Sequence, residues 1–327
     1  MKKKIYTFTL ILFVVLLSLY FVWASAANIQ KEALKEHLRD EWAFDLSNES
    51  ITAYGFPFKF GVKVSNLQSP LKHIPVSLQF LKLDIVRLIY NFSDVILFVE
   101  KPMITSTVYP KLNSSANKLE VSVSNKPFSG SFKLISEQED WQISVDRKLR
   151  RVEAKKVIFA LKDTDKTNLV FYLQAYDLSS SFLKKIQERD PEKPNELILK
   201  GTISNSFISN PRGPYRPIKL ESIMLEQIDI NIGLLKLGCS DAVAINLTNL
   251  TTEGDIDCLL RLSSKDISKI ETDSELLKGI IDFIKLILII KTPANTGETQ
   301  AVPVKFNLDK GLFYINAVPI YQFPKKY

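Results

Sequence analysis

The chain has 327 residues, of which 46% are hydrophobic and 24% are charged, and it carries a formal net charge of +7. This length and composition suit a folded protein with one large or two ordinary cores, and they exclude a wholly disordered chain. With only two His and 11 Gly, general-base sites, metal sites and phosphate-binding glycine loops are disfavoured. None of the motifs GxSxG, HExxH or GxxxxGK(S/T) is present. We therefore predict no catalytic residues, no cofactor and no metal site.

The N-terminal segment, residues 1–27, predicts a membrane anchor. Lys2–Lys4 form a basic patch, and the residues after it are uncharged to the end of the segment. Within it, Ile5–Trp23 spans about 28 Å of helix at 1.5 Å per residue, which matches a transmembrane span better than the shorter apolar core of a signal peptide. Ala24-Ser25-Ala26 also fits a signal-peptide cleavage site, so removal of the segment is an open alternative. In both cases the lysines stay in the cytoplasm and the remaining chain is translocated.

Residues 28–46 predict a short helix after the anchor. Ile29, Leu34, Leu38 and Trp42 form a loose apolar stripe among charged residues. Such a helix is either a stalk that rises from the membrane or a helix that lies on the surface of the following domain.

Residues 47–327 predict a body made mainly of antiparallel β-sheet. The clearest alternation puts Phe58, Phe60, Val62 and Val64 on one side of a strand, with lysines and a serine on the other side. Strands with one apolar and one polar face are typical of antiparallel sheets that bury a single face. We predict large curled sheets, arranged as a groove or a sandwich, with a few short helices.

The same pattern recurs along the body. Candidate strands cover residues 57–65, 76–86, 94–100, 103–109, 118–124, 129–136, 140–147, 152–162, 168–176, 197–204, 218–224, 227–233, 242–247, 254–262, 302–307 and 312–318. Predicted helices occupy 178–189 and 276–290, and the second is so apolar that it should pack on a sheet or insert into an apolar groove. The proline-rich residues 209–217 are the best internal boundary of this continuous β body.

The two cysteines, Cys239 and Cys258, lie 19 residues apart and flank a predicted strand pair. In an oxidising envelope compartment they can form a disulfide. Cys258 is also in phase with Ile256 and Leu260, which is the pattern of a small buried thiol. Both alternatives are open at this point.

The order of these features resembles the DUF2125 family of alphaproteobacterial envelope proteins, a family of unknown function. The resemblance rests on the anchor, the helix ending at Trp42, the segment GFPFKFGVKVSN at residues 55–66, the segment Leu234–Leu262 and the closing segment VPVKFNLDKGLFYINAVPIYQFP. That family is distantly similar to AsmA-like envelope proteins, which curl long antiparallel sheets into grooves with apolar interiors. The resemblance therefore implies a lipid-facing groove, and it supplies no catalytic residues.

These patterns and the resemblance predict a single-pass inner-membrane protein with a cytoplasmic N-terminus and a periplasmic body. The leading hypothesis is a non-enzymatic role in maintaining the cell envelope, by binding or transferring lipid or another apolar ligand in a β groove. The candidate groove residues are Phe58, Phe60, Val62 and Val64, with the 276–290 helix near the mouth of the groove. The alternative is a structural or assembly module that binds an envelope protein through a sheet edge. A third hypothesis, an envelope hydrolase, has no motif behind it, and translocation disfavours a nucleic-acid partner.

Overall fold

A computed structural model of the chain shows the predicted fold class. It describes residues 2–42, 51–56, 59–70, 76–88, 91–106, 112–126, 131–145, 150–164, 168–180, 195–205, 220–232, 235–239, 242–246, 251–253, 255–262, 282 and 300–322. Over these residues the protein is mainly antiparallel β-sheet preceded by one N-terminal helix, so the predicted fold class is confirmed. The chain divides into two compact units, residues 1–130 with 145–147 and residues 131–144 with 148–327. The predicted boundary at 209–217 lies outside the described residues.

The helix α1 runs without interruption from Lys2 to Trp42, which is 41 residues, or about 62 Å of helix. The predicted anchor and the predicted short helix therefore form one rod. No proline or glycine breaks this segment, and Ala, Leu, Lys and Glu, which favour helix, fill the turns that join the two parts. The side chains of residues 10–22 are exposed, and Leu10–Glu36 is long and apolar enough to cross a membrane, judged by length and composition.

The first unit contains a meander of antiparallel strands after the helix. Its described strands are β1 (Thr52–Tyr54), β2 (Lys59–Pro70), β3 (Val76–Leu88), β4 (Asn91–Glu100), β5 (Met103–Ser106), β6 (Leu112–Ser115) and β7 (Lys118–Lys126). The pairs β1–β2, β2–β3, β3–β4, β3–β5, β4–β7 and β5–β6 are all antiparallel. Because β3 pairs with both β4 and β5, these two strands continue one another, as β6 and β7 do beside them.

A line of breaks crosses this sheet between β4 and β5 and between β6 and β7. Lys101 has a φ of 51°, and its N–H donates to the carbonyl of Asn117 at 2.9 Å. Pro102 has no N–H to give to the ladder, and its carbonyl accepts the N–H of Ala116 at 3.1 Å. Asn66, at the same level of β2, has a φ of 54°. Irregularities of this kind bend a strand and increase its twist, so the sheet of the first unit is bent across its middle.

The second unit continues in the same manner. Its strands are β8 (Ser131–Val145), β9 (Arg150–Asp163), β10 (Asn168–Tyr176), β11 (Ser179–Ser180), β12 (Glu196–Asn205), β13 (Leu220–Ile232), β14 (Leu235–Cys239), β15 (Val243–Asn246), β16 (Thr251–Glu253), β17 (Ile256–Leu262), β18 (Gln300–Asp309), β19 (Leu312–Ile315) and β20 (Val318–Gln322). The pairs β9–β10, β9–β11, β10–β12, β12–β13, β13–β14, β13–β15, β14–β17, β15–β16, β17–β18, β18–β19 and β19–β20 are antiparallel. Most strands therefore pair with a near neighbour in sequence, which keeps the topology simple.

The apolar residues of the second unit share one face of its sheet, because residues paired across strands point to the same side. One such row is Leu199, Ile228, Cys239, Cys258 and Val304, and the next is Leu197, Ile230, Leu237, Leu260 and Val302. Val302 and Val304 are 2% and 1% exposed. The alternation that predicted half-apolar strands therefore sorts these residues onto one face.

Two predicted breaks between strands are absent. Residues 129–136 and 140–147 are predicted as separate strands, but the described parts of both belong to β8. Glu137, in the predicted gap, is a strand residue whose carboxylate lies 2.6 Å from the Lys156 ammonium on β9. Residues 218–224 and 227–233 likewise merge into β13. There the pairing with β12 shifts between Lys200 and Gly201, and a β-bulge absorbs the irregular position.

The predicted helices have different outcomes. The one at 178–189 is wrong at its start, because Ser179–Ser180 form β11 and pair with β9; the rest of that helix lies outside the described residues. Only Asp282 of the 276–290 segment is described, and it is helical and exposed.

Candidate functional site

Four aromatic side chains join the helix to the first strands of the sheet. The ring of Trp23 stacks on Phe60 with centroids 6.3 Å apart and lies edge-on to Phe56 at 5.8 Å. Tyr20, one turn earlier, contacts Phe56 at 5.5 Å. The indole N–H of Trp23 donates to the carbonyl of Lys59 at 3.1 Å. This aromatic cluster (Tyr20, Trp23, Phe56, Phe60) fixes the body to the helix just after its exposed apolar stretch.

Two glycines shape the backbone that carries this cluster. Gly55 has a φ of 107° and its carbonyl accepts the N–H of Lys59 at 3.0 Å, which closes the turn between β1 and β2. Gly61 lies opposite Tyr54 in the β1–β2 pair, and a Cβ there would be 2.5 Å from the Tyr54 Cζ. The ring of Tyr54 therefore packs flat on residue 61, and the Lys59 Nζ lies 5.2 Å from the centre of that ring.

The polar side of β3 carries charges near this ring. The Lys82 Nζ is 2.7 Å from the Asp84 Oδ2, and the hydrogen bond that Lys82 donates to Asp84 raises the pKa of Lys82. Burial, followed by the charge of Asp84, raises the pKa of the Tyr54 hydroxyl. Both shifts favour the forms present at neutral pH, a charged lysine and a neutral phenol. The Asp84 side chain is only 14% exposed, and Val86 on the same face is buried, so this side of the sheet is polar but partly covered.

The second half of the helix covers part of the apolar side of the sheet. Leu34 packs against a cluster of buried residues made up of Ile51, Val62, Val64, Leu67 and Phe80. Ala27, between Trp23 and Leu34 on the helix, is 4% exposed. The helix thus contacts the first strands of the sheet through Trp23 and Leu34.

The candidate groove residues do not share one environment. Val62 and Val64 are 6% and 0% exposed, so they belong to a core filled by the chain itself and offer no surface to a ligand. Phe60 belongs to the aromatic cluster, and Phe58 lies outside the described residues. Periodicity correctly put Phe60, Val62 and Val64 on one side of β2, but the helix that covers that side could be recognised only from the tertiary contacts.

The apolar side of the sheet continues beyond the helix. From Val64, the row of paired residues runs through Leu83, Val99 and Leu119; from Val62 it runs through Ile85, Leu97 and Val121; a third row holds Val95 and Val123. These eight residues of β3, β4 and β7, from Leu83 to Val123, are called the apolar face below. All eight are half-buried, whereas Val62 and Val64 under the helix are buried. Leu83 and Val99 still pack against the buried cluster around Val64, so the apolar face is the part of this surface that remains partly accessible.

Cys239 and Cys258 are joined by a disulfide in the structure, with an S–S distance of 2.05 Å. They face each other directly in the β14–β17 pair and are each 4% exposed. The bond therefore links two neighbouring strands inside the apolar core of the second unit.

The described part of the chain holds no group of three or more His, Cys, Asp or Glu residues suited to a metal ion. Asp255 and Asp257, two carboxylates on one strand face, both lie near Lys305, at 3.9 and 3.2 Å. Both carboxylates therefore form surface ion pairs with the Lys305 ammonium.

No family model matches the chain, and no match to it is found among curated proteins or solved structures. The apolar face and the aromatic cluster must therefore be interpreted from their own chemistry, and the resemblance to the DUF2125 family stays a prediction.

Proposed function

We propose that this protein is a membrane-anchored lipid-binding protein that accepts acyl chains on the apolar face of its first unit. The observation that carries the proposal is the position of this face. It starts at the residues that Leu34 covers, and the helix that carries Leu34 is also the one long and apolar enough to cross a membrane.

The exposed apolar stretch of the helix supports a lipid as the occupant. Residues 10–22 need a hydrocarbon environment, and aromatic residues such as Tyr20 and Trp23 are favoured at the boundary between membrane and water. Because the aromatic cluster ties that boundary to β1 and β2, the apolar face lies within the same unit as the segment in contact with lipid. An acyl chain that leaves the bilayer beside the helix would reach it first.

The energetics of burial support the same occupant. Full burial of one aliphatic side chain is worth about 1.5–3 kcal/mol. The eight half-buried residues of the apolar face leave part of this free energy unrealised, and a hydrocarbon chain would recover it without unpaired polar atoms. The Lys82–Asp84 ion pair lies on the other side of the same strands, which a hydrocarbon chain on the apolar face would not contact.

The proposal includes a location and a role. Lys2–Lys4 precede the apolar stretch, and the bias of such charges toward the cytoplasm places the body in the periplasm. A lipid-binding body held at the inner membrane fits a non-enzymatic role in maintaining the cell envelope, which the resemblance to the DUF2125 family also implies. The rival, a module that binds an envelope protein at a sheet edge, is distinguished by the same experiment.

The test is photo-crosslinking of the full chain, in membranes, with a phospholipid that carries a diazirine in its acyl chain. Leu97 belongs to the apolar face, and its neighbour Phe98 points to the other side of β4 and is 41% exposed. We expect Leu97→Asn to lower lipid labelling at least fivefold and Phe98→Asn to leave it within twofold of the wild type.

A second variant keeps the test independent of folding defects. Val121→Trp fills the apolar face with an apolar side chain, so it should also lower labelling, without placing a polar group there. Equal labelling of all variants would contradict the proposal. A photoreactive amino acid at position 97 provides a second test. Its crosslinking to an envelope protein and to no lipid would also contradict the proposal.

A further inference from the structure

The polar side of the second unit carries a pocket of about 480 Å³, formed by β13, β14 and β17. Asn231, Lys236 and Arg261 line it. The strand register puts them in one row, with Asn231 opposite Lys236 and Lys236 opposite Arg261. Two cations are therefore direct cross-strand neighbours at the wall of a concave surface.

This arrangement is unfavourable without a counterion. Like charges placed directly opposite each other destabilise a sheet. Some other cations on this unit have acidic partners: Lys200 Nζ lies 3.2 Å from Glu226 Oε2, and Lys305 Nζ lies 3.2 Å from Asp257 Oδ1. Among the described residues, neither Lys236 nor Arg261 has an ion-pair or hydrogen-bond partner, and Lys236 is half-buried.

The two acidic residues that line the pocket are already engaged. Glu226 accepts the hydroxyl of Thr202 at 2.9 Å as well as the Lys200 ammonium, and these two donors lower the pKa of Glu226. Asp229 accepts from the amide nitrogen of Gln227 at 2.5 Å. Asp229 keeps its charge, because Gln227 is neutral, but among the described residues neither Glu226 nor Asp229 forms an ion pair with Lys236 or Arg261. Both cations can therefore contact an anion from outside.

We propose that Lys236 and Arg261 bind a phosphate group. The guanidinium of Arg261 can donate two parallel hydrogen bonds to phosphate oxygens, the Lys236 ammonium supplies a compact charge, and the Asn231 amide supplies a further donor. Leu259, on the same strand as Arg261, also lines the pocket and is 48% exposed. A lipid headgroup and free phosphate share this chemistry, and Leu259 distinguishes them, because only a lipid adds an apolar contact there.

The experiment titrates the full chain in a phosphate-free, non-ionic detergent with inorganic phosphate and, separately, with dihexanoyl phosphatidic acid, and follows binding by calorimetry. The pocket variant is Lys236→Gln with Arg261→Gln. The matched control is Lys133→Gln with Lys305→Gln, which removes the same charge from the same unit outside the pocket. We expect saturable binding in the wild type, at least tenfold weaker binding in the pocket variant, and a change under twofold in the control.

The ratio of the affinities for phosphatidic acid and inorganic phosphate shows whether the site takes a lipid headgroup or free phosphate. If phosphatidic acid binds at least tenfold more tightly than inorganic phosphate, and Leu259→Ser reduces this difference, the site takes a lipid headgroup. If the two ligands bind equally and Leu259→Ser has no effect, the site takes free phosphate. Absence of saturable binding, or equal losses in the pocket and control variants, would overturn the proposal.

Thermal unfolding gives a second readout that a folding defect cannot imitate. In phosphate-free buffer the pocket variant should unfold at the same or a higher temperature than the wild type, because the repulsion between Lys236 and Arg261 is gone. Phosphate should raise the unfolding temperature of the wild type and of the control variant, and leave that of the pocket variant unchanged. Since the apolar face lies on other residues, this proposal can fail while the lipid-binding proposal stands, and the reverse also holds.

Discussion

Tyr54 and Gly61 show how a single residue sets the position of the candidate site. The ring of Tyr54 occupies the space that any larger side chain at residue 61 would need, and this contact aligns β1 with β2. Phe60, next to Gly61, is thereby held against Trp23. The missing side chain at residue 61 is therefore a packing requirement of the strand pair that bears the aromatic cluster.

This requirement predicts a stability loss in Gly61→Ala. The new Cβ would lie 2.5 Å from the Tyr54 Cζ, so the ring must move, at a cost of about 1–3 kcal/mol. The measurement is chemical unfolding in detergent, with Gly238→Ala as the control, since its Cβ would meet only the Asp229 Oδ1 at 3.2 Å. Equal stability of Gly61→Ala and the wild type would show that the ring has room to shift.

At the scale of elements, the helix α1 has an exposed apolar part followed by a part that packs on the sheet. Its first part exposes apolar side chains over residues 10–22, and its later part packs on the sheet through Trp23, Ala27 and Leu34. A continuous rod transmits the position of one part to the other, because no proline or glycine hinge separates them. The sheet is therefore held in a defined position relative to the exposed stretch.

Removal of the Leu34 side chain should weaken the packing of the helix on the sheet. We expect Leu34→Ala to destabilise the protein by about 1–2 kcal/mol, less than a fully buried leucine because Leu34 is only partly buried. Hydrogen exchange of the helical amides from Trp23 to Leu34 should increase in this variant, because the helix loses its contact with the cluster around Val64.

Lys35→Ala is the matched control for that prediction. The Lys35 ammonium lies 3.9 Å from the Glu32 carboxylate, and both side chains are exposed, so its loss should cost less than about 0.5 kcal/mol. If the helical amides from Trp23 to Leu34 exchanged equally fast in Leu34→Ala and Lys35→Ala, the helix would not be held by the apolar contact of Leu34.

At the scale of the whole molecule, the two units combine one exposed apolar helix segment with long antiparallel sheets that each bury one side. Both cysteines are used in the disulfide, so a cysteine introduced elsewhere is the sole thiol of the molecule. This makes the proposed orientation directly measurable.

The proposed periplasmic location predicts the labelling of such cysteines in intact cells. Lys101→Cys, at an exposed position of the first unit, should react with a membrane-impermeant maleimide once the outer membrane is permeabilised. Lys3→Cys should react only after the inner membrane is disrupted, because the basic N-terminus stays in the cytoplasm. The reverse pattern would exclude the periplasmic body and the envelope role that depends on it.

The local features of this protein followed from the sequence alone. The apolar stretch after Lys2–Lys4 and the two-residue alternation of Phe60, Val62 and Val64 predicted a spanning helix and half-apolar antiparallel strands. Both depend only on the spacing of neighbouring residues, which the geometry of a helix or a strand dictates. The absence of a break at residue 28 and the continuity of β8 through Glu137 were missed, because polar residues occupy turns and exposed strand faces equally well.

What covers each apolar side was decided by the tertiary structure. Val62 and Val64 carry the same pattern as Leu97 and Val121, yet the helix buries the first pair and leaves the second accessible. The opposition of Lys236 to Arg261 likewise depends on the register between distant strands. Register and cover are set by pairing and packing over long separations, and no short window of sequence contains that information.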